Sequence, residues 1–329
     1  MNASKIYLTG QGQVSLLKQD IPLPGEKEVQ VRLVSSVVSP GTERAFILQL
    51  ENAYCEFPVA LGYSCSGIVE NVGTGVTSFT PGDKVACVRV PHQSLANAPE
   101  FEFFKIPDGV GFDEAAFIFL GVIAIQAVRK ARIELGEDVL VIGLGLVGQI
   151  AMQLARVNGA ATIICIDKTQ SKLTLAKKLG AEVTISADEE NWLDHVLSST
   201  GGAGAPVVIE STGFPGPINN ALLAARKFGR VILLGSTRGC TETNFYRDVH
   251  KKAINIIGAH ISSNPDAESY PGYWTLRDDA NAFMRFLQDR RVDVESLITE
   301  KRPVTEYKQI YNRVLNWDND YITTLIDWR

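Results

Sequence analysis

A glycine-rich turn between an apolar strand and a helix constrains the fold of this chain more than any other feature. The segment VLVIGLGLVG places its glycines at Gly143, Gly145 and Gly148. In this context the first allows a tight turn, the second lets the backbone approach a pyrophosphate, and the third lets the helix pack on the strand. The next helical residues, Leu146 and Val147, add free N–H groups at the positive end of the helix dipole. The pattern predicts a dinucleotide-binding Rossmann unit.

The identity of the dinucleotide is predicted from an acidic residue further along. Asp167 follows the apolar segment IICI, about twenty residues after Gly148. A carboxylate at this position accepts hydrogen bonds from the adenosine ribose hydroxyls and repels a 2′-phosphate. NAD is therefore predicted rather than NADP, although Lys168 partly offsets the negative charge.

Strands and helices alternate around this turn. Strand patterns are predicted at 138–142, 162–166, 207–210, 231–234 and 254–257, and helical patterns at 147–158 and 171–179 separate the first three of them. Such alternation predicts an α/β fold with a doubly wound parallel sheet. The first third is instead typical of a Gly-rich β-structure. A helix is predicted at 115–130 before the parallel sheet, and two more at 279–290 and 305–315 in the tail.

Composition excludes several classes of function. The chain of 329 residues is long enough for two domains, and its net charge is −5 with no run of Lys or Arg. This disfavours nucleic acid or an anionic membrane as partner. We find no apolar run of membrane-spanning length and no signal-peptide pattern. The five cysteines form no CxxC pair, so we expect free thiols in the cytoplasm.

Several motifs resemble those of the medium-chain dehydrogenase/reductase superfamily, which includes the zinc alcohol dehydrogenases. PGDKV at 81–85 is similar to the PGDxV turn of the family, and LGYSCSG at 61–67 to its GHExxG segment. KIPD at 105–108 followed by DEAA at 113–116 is similar to the approach to the cofactor domain. The resemblance covers nearly the whole chain.

The resemblance implies a GroES-like catalytic domain formed by residues 1–121 and 264–329. A Rossmann domain of residues 122–263 is inserted between them, and the active site lies in the cleft. Lys172 is implied near the adenosine ribose. Two loops are implied at the nicotinamide half, formed by Ser211, Thr212, Gly213, Leu234, Gly235 and Ser236. Many members are dimers or tetramers, so a homodimer or homotetramer is expected.

The sequence departs from the family where the catalytic zinc would bind. In the family, as the resemblance implies, three residues bind the catalytic zinc. They are a Cys in the segment that corresponds to residues 39–43, the His of GHE, and a third donor later in the chain. Here Pro40 and Tyr63 stand at the first two positions, Ser64 replaces the Glu, and FLGV at 119–122 offers no donor. A catalytic zinc needs about three Cys, His or carboxylate ligands. We therefore predict a zinc-independent enzyme; the segment SPGTE at 39–43 resembles a zinc-lacking subgroup that includes bacteriochlorophyllide dehydrogenases.

Two hydroxyls are the first candidates for the chemistry. Thr42 aligns with the Ser or Thr that relays the proton in the family, and Tyr63 occupies the position of the His ligand. A hydroxyl can stabilise a developing alkoxide by donating a hydrogen bond, and a phenol can act as acid or base. The alternatives are a turn hydroxyl at Thr42 and an aromatic ring that fills the vacated metal pocket at Tyr63.

Glu43 and His92 are further catalytic candidates. Glu43 can orient Thr42 or bind a substrate hydroxyl, and a structural ion pair with Arg44 is the alternative. His92 corresponds to a cleft-lining position in relatives and is one of four histidines. It can serve as a base near neutral pH, or it is an ordinary solvated loop residue.

Three functional hypotheses follow. The leading one is an NAD-dependent dehydrogenase that acts on a secondary alcohol or its ketone, such as a polyol, a sugar or a ring alcohol. A quinone- or enoyl-type double-bond reductase is the second. The third is a non-catalytic NAD(H)-binding sensor or assembly subunit.

Overall fold

The computed structural model describes residues 2–316 and 320–329 of the chain. The chain divides into two compact units, Met1–Leu120 with Ala280–Arg329, and Gly121–Asp279. The domain limits expected above include positions 1 and 317–319, which lie outside the described residues.

The strands and helices are numbered here in chain order. The strands are β1 (Asn2–Gly10), β2 (Gln13–Asp20), β3 (Glu28–Val37), β4 (Val59–Ala60), β5 (Ser64–Val72), β6 (Lys84–Val88), β7 (Leu95–Pro99), β8 (Phe103–Lys105), β9 (Asp138–Ile142), β10 (Thr162–Asp167), β11 (Val183–Ser186), β12 (Ala205–Glu210), β13 (Ala225–Leu233), β14 (Asn255–Gly258), β15 (Ile298–Pro303) and β16 (Thr323–Asp327). The helices are α1 (Pro40–Leu48), α2 (Phe112–Ala115), α3 (Ile118–Ala131), α4 (Leu146–Val157), α5 (Gln170–Lys178), α6 (Trp192–Ser199), α7 (Gly216–Ala224), α8 (Leu276–Gln288) and α9 (Tyr307–Asn316).

The first unit is built on two sheets. Strands β2, β1 and β4 form a small antiparallel sheet, and β15, β16, β3, β5, β6 and β8 form a larger one in that order, with β7 paired to β3. Alternating apolar residues of β3 fill the core of the larger sheet, where Val29, Val31 and Leu33 are buried. Helix α9 packs apolar residues into a second cluster with β1 and α1.

Helix α1 differs from the β-structure predicted for the first third of the chain. It starts at Pro40, whose fixed backbone angle and missing N–H suit the first turn of a helix. Its buried positions include Ala45 and Ile47, which face the core. The helix ends at Leu48, and the next residue, Gln49, adopts a left-handed conformation that caps it. This helix carries two of the predicted catalytic residues.

The second unit is a doubly wound α/β domain, as the strand–helix alternation predicts. Its six strands are parallel and lie in the order β11-β10-β9-β12-β13-β14. Numbered within the unit this is 3-2-1-4-5-6, the order of dinucleotide-binding Rossmann folds. The strand order reverses between β9 and β12, so the carboxyl ends of these two strands frame the place where such sheets bind ligands.

In the described ranges, no helix has both the length and the apolar character required to span a bilayer.

Candidate functional site

The glycine-rich turn lies at the carboxyl end of β9. Gly143 has a φ of 90°, in the left-handed region that favours glycine, and a Cβ there would lie 2.8 Å from the Thr212 methyl group. A Cβ on Gly148 would lie 2.1 Å from the carbonyl oxygen of Gly143. Gly145, at the start of α4, has open space where a Cβ would be. The turn is thus packed on its protein side and open at Gly145.

The first turn of α4 leaves donors without an acceptor inside the helix. The first backbone bond of this turn runs from Gln149 N–H to the carbonyl oxygen of Gly145. The N–H groups of Leu146 and Val147 precede it, and helix geometry gives them no partner within the helix. Together with the positive end of the helix dipole, they form a site suited to an anion such as a pyrophosphate.

Asp167 lies at the end of β10, next to this turn. One carboxylate oxygen accepts a hydrogen bond from Leu144 N–H at 2.7 Å, and the other accepts from Thr169 N–H at 2.8 Å. Its carboxylate is therefore held beside the glycine turn by two backbone donors. Lys168 is exposed, whereas Lys172 on α5 is 8% exposed. The end of β10 thus carries one oriented negative charge.

The loops after β12 and β13 meet the glycine turn. Ser211 Oγ donates to the carbonyl oxygen of Gly143 at 2.6 Å. A Cβ on Gly235 would lie 2.5 Å from the N atom of Gly213, so the two loops touch through their backbones. The N–H groups of Leu234 and Gly235 both donate to the carbonyl oxygen of Glu210, at 2.8 and 2.9 Å.

The structure therefore brings the predicted cofactor residues of the second unit to one edge of its sheet. Thr212 and Gly213 are half-buried in the loop after β12, and Ser236 is exposed after β13. These loops follow β12 and β13, on one side of the place where the strand order reverses. Asp167 lies on the other side, at the end of β10. Such an arrangement suits an extended dinucleotide laid across the carboxyl ends of the strands.

Glu210 belongs to this edge but was not predicted as a site residue. Its side chain is fully buried, and one carboxylate oxygen accepts from the N–H of Thr212 at 2.8 Å and from the hydroxyl of the same residue. The other oxygen has no hydrogen-bond partner within the described structure. Burial raises the pKa of this carboxyl, and the hydrogen bonds from Thr212 oppose the shift. A charged residue that ends an apolar strand was the signal available in the sequence.

Thr42 and Tyr63 both lie in the first unit. Thr42 is half-buried in the first turn of α1. Tyr63 lies between β4 and β5, and its ring meets the Phe119 ring edge-on, with 5.4 Å between the centroids. By the resemblance, these two rings stand at positions where zinc-type members supply metal ligands. At these positions this chain carries an aromatic pair.

Ser64, at the position of the glutamate of GHE, has a structural task. Its buried hydroxyl donates to the carbonyl oxygen of Ala116 at 2.6 Å and accepts from Phe119 N–H at 3.1 Å. The hydroxyl therefore fixes the backbone that carries Phe119. Across residues 2–316 and 320–329, no group of three or more His, Cys, Asp or Glu side chains is arranged to hold a metal ion.

Glu43 and His92 are fully buried and lie in direct contact. His92 Nε2 is 3.3 Å from one carboxylate oxygen of Glu43, and Nδ1 is 2.8 Å from the Ser36 hydroxyl. His92 is 0% exposed and Glu43 is 1% exposed. Neither side chain presents a surface to a substrate. The sequence had left open a solvated histidine and an ion pair between Glu43 and Arg44.

Two family models match the chain. The model described as alcohol dehydrogenase GroES-like domain matches residues 25–134. The model described as zinc-binding dehydrogenase matches residues 147–277.

Among curated proteins, sorbitol dehydrogenase from Gallus gallus is 30% identical over 258 residues, which cover 68% of this chain and 72% of the relative. L-idonate 5-dehydrogenase from Vitis vinifera is 26% identical over 330 residues, or 90% of this chain and 86% of the relative.

Solved structures share the fold across the whole chain. An oxidoreductase/dehydrogenase of unknown specificity from Escherichia coli has a TM-score of 0.88 at 21% identity and covers 99% of both chains. A putative zinc-binding dehydrogenase from Sinorhizobium meliloti, bound to NADP, has a TM-score of 0.84 at 20% identity, with 99% of both chains covered. A short chain alcohol dehydrogenase from Escherichia coli CFT073, in complex with NADH, has a TM-score of 0.85 at 19% identity, also over 99% of both chains.

Proposed function

The chain belongs to the medium-chain dehydrogenase/reductase superfamily of alcohol dehydrogenase-like oxidoreductases, and from this membership we propose that it transfers a hydride between NAD(H) and a secondary alcohol or its ketone without a catalytic zinc. The observation that carries the proposal is the glycine turn at Gly143 with the oriented carboxylate of Asp167 beside it.

The preference for NAD over NADP rests on the charge at the end of β10. A 2′-phosphate carries negative charge into the place where Asp167 holds a carboxylate, and the two repel each other. The ribose hydroxyls of NAD instead donate to a carboxylate. Solved proteins of the same fold are found with NADP and with NADH, so the residue at this position, rather than the fold, supports our choice.

Zinc independence rests on the chemistry of the side chains at the expected ligand positions. Proline offers no donor, Phe119 offers none, and a neutral phenol such as Tyr63 is not among the usual zinc ligands. The hydroxyl of Ser64 is already engaged with the backbone. The residues present do not fit a catalytic zinc of the family type.

The proposed chemistry uses hydroxyls of this chain. Bound NAD supplies the hydride acceptor for alcohol oxidation. Thr42 is assigned to relay the hydroxyl proton: its oxygen accepts the substrate proton as its own hydrogen passes to solvent water, because it lies in the first turn of α1 with its side chain accessible. Tyr63 is assigned to donate a hydrogen bond to the substrate oxygen, the task that a Lewis acid performs in zinc enzymes.

The proposed substrate class is a polyol or a related sugar alcohol. Relatives with sorbitol dehydrogenase and L-idonate 5-dehydrogenase activity support it. We further propose a cytoplasmic homodimer or homotetramer that binds neither nucleic acid nor membranes. Five free cysteines are consistent with a reducing compartment.

The test is NADH formation by metal-stripped protein with NAD and a panel of secondary alcohols, polyols and sugars. We expect turnover that persists in chelator, and a loss of roughly hundredfold or more in kcat for Thr42→Ala and Tyr63→Phe. The matched controls are Thr305→Ala and Tyr54→Phe, which alter exposed side chains and should keep full activity.

Turnover that vanishes with chelator and returns with zinc would refute the metal-free reading. NADH binding without turnover on any alcohol would favour a sensor, and turnover with quinones or enones instead would favour a double-bond reductase.

A further inference from the structure

His92 is the centre of a buried polar cluster that the proposed chemistry does not use. Its ring nitrogens reach the Ser36 hydroxyl on one side and the Glu43 carboxylate on the other. Trp328 Nε1–H donates to the same Ser36 hydroxyl at 2.9 Å, and Tyr311 O–H donates to Glu43 at 2.7 Å. The cluster thus joins β3, α1, α9 and the segment after β6.

One arrangement of hydrogens satisfies every donor in this cluster. With the ring proton of His92 on Nε2, facing Glu43, Nδ1 accepts from the Ser36 hydroxyl, which itself accepts from Trp328 Nε1–H. Burial, with the Glu43 charge beside it, raises the pKa of Tyr311 well above its usual range, so its phenol stays a donor. A fully paired buried network is rigid, and breaking it leaves unsatisfied groups.

The cluster fixes the helix turn that carries Thr42. Ser39 N–H donates at 2.7 Å to the same Glu43 oxygen that faces His92. Glu43 follows Thr42 directly in α1, so the backbone on both sides of Thr42 is tied to one carboxylate. The orientation of the Thr42 hydroxyl depends on that carboxylate staying in place.

The same imidazole also fixes the segment that carries Tyr63. Gly62 lies against the face of the ring: a Cβ at this residue would be 2.4 Å from ring atoms of His92, and its φ is 83°. The backbone N–H of His92 donates to the carbonyl oxygen of Leu61 at 2.8 Å. His92 therefore holds residues 61–62, immediately before Tyr63, by its backbone and by its ring.

We infer that His92 and Glu43 are positioning residues that set the Thr42 and Tyr63 hydroxyls at a fixed geometry relative to one another. In zinc-type members the metal joins these two segments through its ligands; here a buried imidazole and a carboxylate join them. The inference rests on the proposed function, because it assigns the two hydroxyls to the reaction.

The first test is kinetic and uses His92→Asn, which keeps a polar group near Ser36 but falls short of Glu43. We expect kcat to fall about ten- to hundredfold, since an error of an ångström in placement has this cost, while the KM for NAD is unchanged. His92→Gln, whose longer amide can reach Glu43, should recover part of kcat. The control Gln30→Ala removes a buried side chain that bonds Pro22 and Asn97 in the same unit, and it should lower stability without lowering kcat.

The decisive comparison is a double-mutant cycle. If His92 acts in part through Thr42, His92→Asn lowers kcat less in the Thr42→Ala background than it does in the wild type. Full additivity of the two losses would overturn the inference, as would an equal loss of kcat in Gln30→Ala.

A second measurement needs no turnover. We would follow the NMR signals of the Thr42 methyl group and the Tyr63 ring, assigned by comparison with Thr42→Ala and Tyr63→Phe. Movement of both in His92→Asn, and of neither in Gln30→Ala, supports the positioning role. Unmoved signals overturn it. Should the wild type show no turnover, the proposed function fails, and these signals still decide the positioning role by itself.

Discussion

At the scale of single residues, Asp167 decides the cofactor in our account. Its carboxylate is held by Leu144 and Thr169 N–H groups and lies beside exposed Lys168. Replacing it with Asp167→Ser removes the repulsion of a 2′-phosphate and leaves the lysine to attract it. We expect the ratio of kcat/KM for NADP to that for NAD to rise at least about tenfold, or ~1.4 kcal/mol.

The control for this change is Asp194→Ser, which removes an exposed carboxylate on α6 and should leave the ratio unchanged. An unchanged ratio in Asp167→Ser would contradict the role of Asp167 in cofactor choice.

A second residue-scale prediction concerns Asp279. Burial raises the pKa of this carboxyl from 3.8 to about 6, although the ion pair with Arg129 opposes the shift. The folded state thus holds the proton more tightly than the unfolded state, which stabilises the fold below about pH 4. This stabilisation is lost as the pH rises through 6, by up to about 3 kcal/mol.

Urea unfolding of the wild type and of Asp279→Asn at several pH values between 4 and 7 measures the effect. The wild-type free energy of unfolding, relative to the variant, should fall as the pH rises. A difference that stays flat, or that rises with pH, would show that this carboxyl titrates normally.

The placement of some site residues could be predicted from the sequence, and that of others could not. The placement of Gly143, Gly148 and Asp167 beside one turn was predictable, because it follows from spacing along a strand, a turn, a helix and the next strand. His92 was not, because its partners Ser36 and Glu43 come from distant parts of the chain and meet only in the fold. The resemblance indicated a cleft residue, with a solvated loop residue as the alternative, whereas His92 is buried in the structure.

At the scale of elements, two glycines of the turn before α4 are predicted to have different tasks. One is needed for folding, and the other is needed for cofactor binding. Gly148→Ala places a Cβ against the Gly143 carbonyl and Ser211, so it should destabilise the fold by about 1–3 kcal/mol. Gly145→Ala meets no protein atom within 4 Å, so it should keep the thermal stability. Its methyl group blocks the approach of the pyrophosphate, and NADH binding should weaken about tenfold or more.

Calorimetry measures the thermal stability of Gly148→Ala and Gly145→Ala, and titration measures their affinity for NADH. Gly258→Ala is the control, because a Cβ at this position also meets no atom within 4 Å. Wild-type NADH affinity in Gly145→Ala would contradict the assignment of the turn to the pyrophosphate.

Elements with strong local patterns were predicted with nearly the observed limits. The strand predicted at 138–142 is Asp138–Ile142, and the helix predicted at 147–158 is Leu146–Val157. The short strand β11 and the helices α6 and α7 were not predicted. Strand β11 has four residues, too few for a period to show. Helix α1 was missed because proline and glycine open it, residues that also mark turns.

At the scale of the whole molecule, the proposal includes self-association. Strand β14 ends the parallel sheet, and three of its four residues are exposed. An open edge of this kind can pair with another strand. Light scattering after size-exclusion chromatography should give a mass of two or four chains. A single-chain mass at micromolar concentration would contradict the proposed oligomer.

Hydride transfer to NAD without a metal can be followed with an isotope label. Metal-free protein, with its metal content determined by mass spectrometry, is mixed with NAD and a polyol deuterated at its carbinol carbon. We predict that deuterium appears at carbon 4 of the nicotinamide ring, as seen by NMR, at the same rate with and without added zinc. Transfer that occurs only after zinc is added would contradict it.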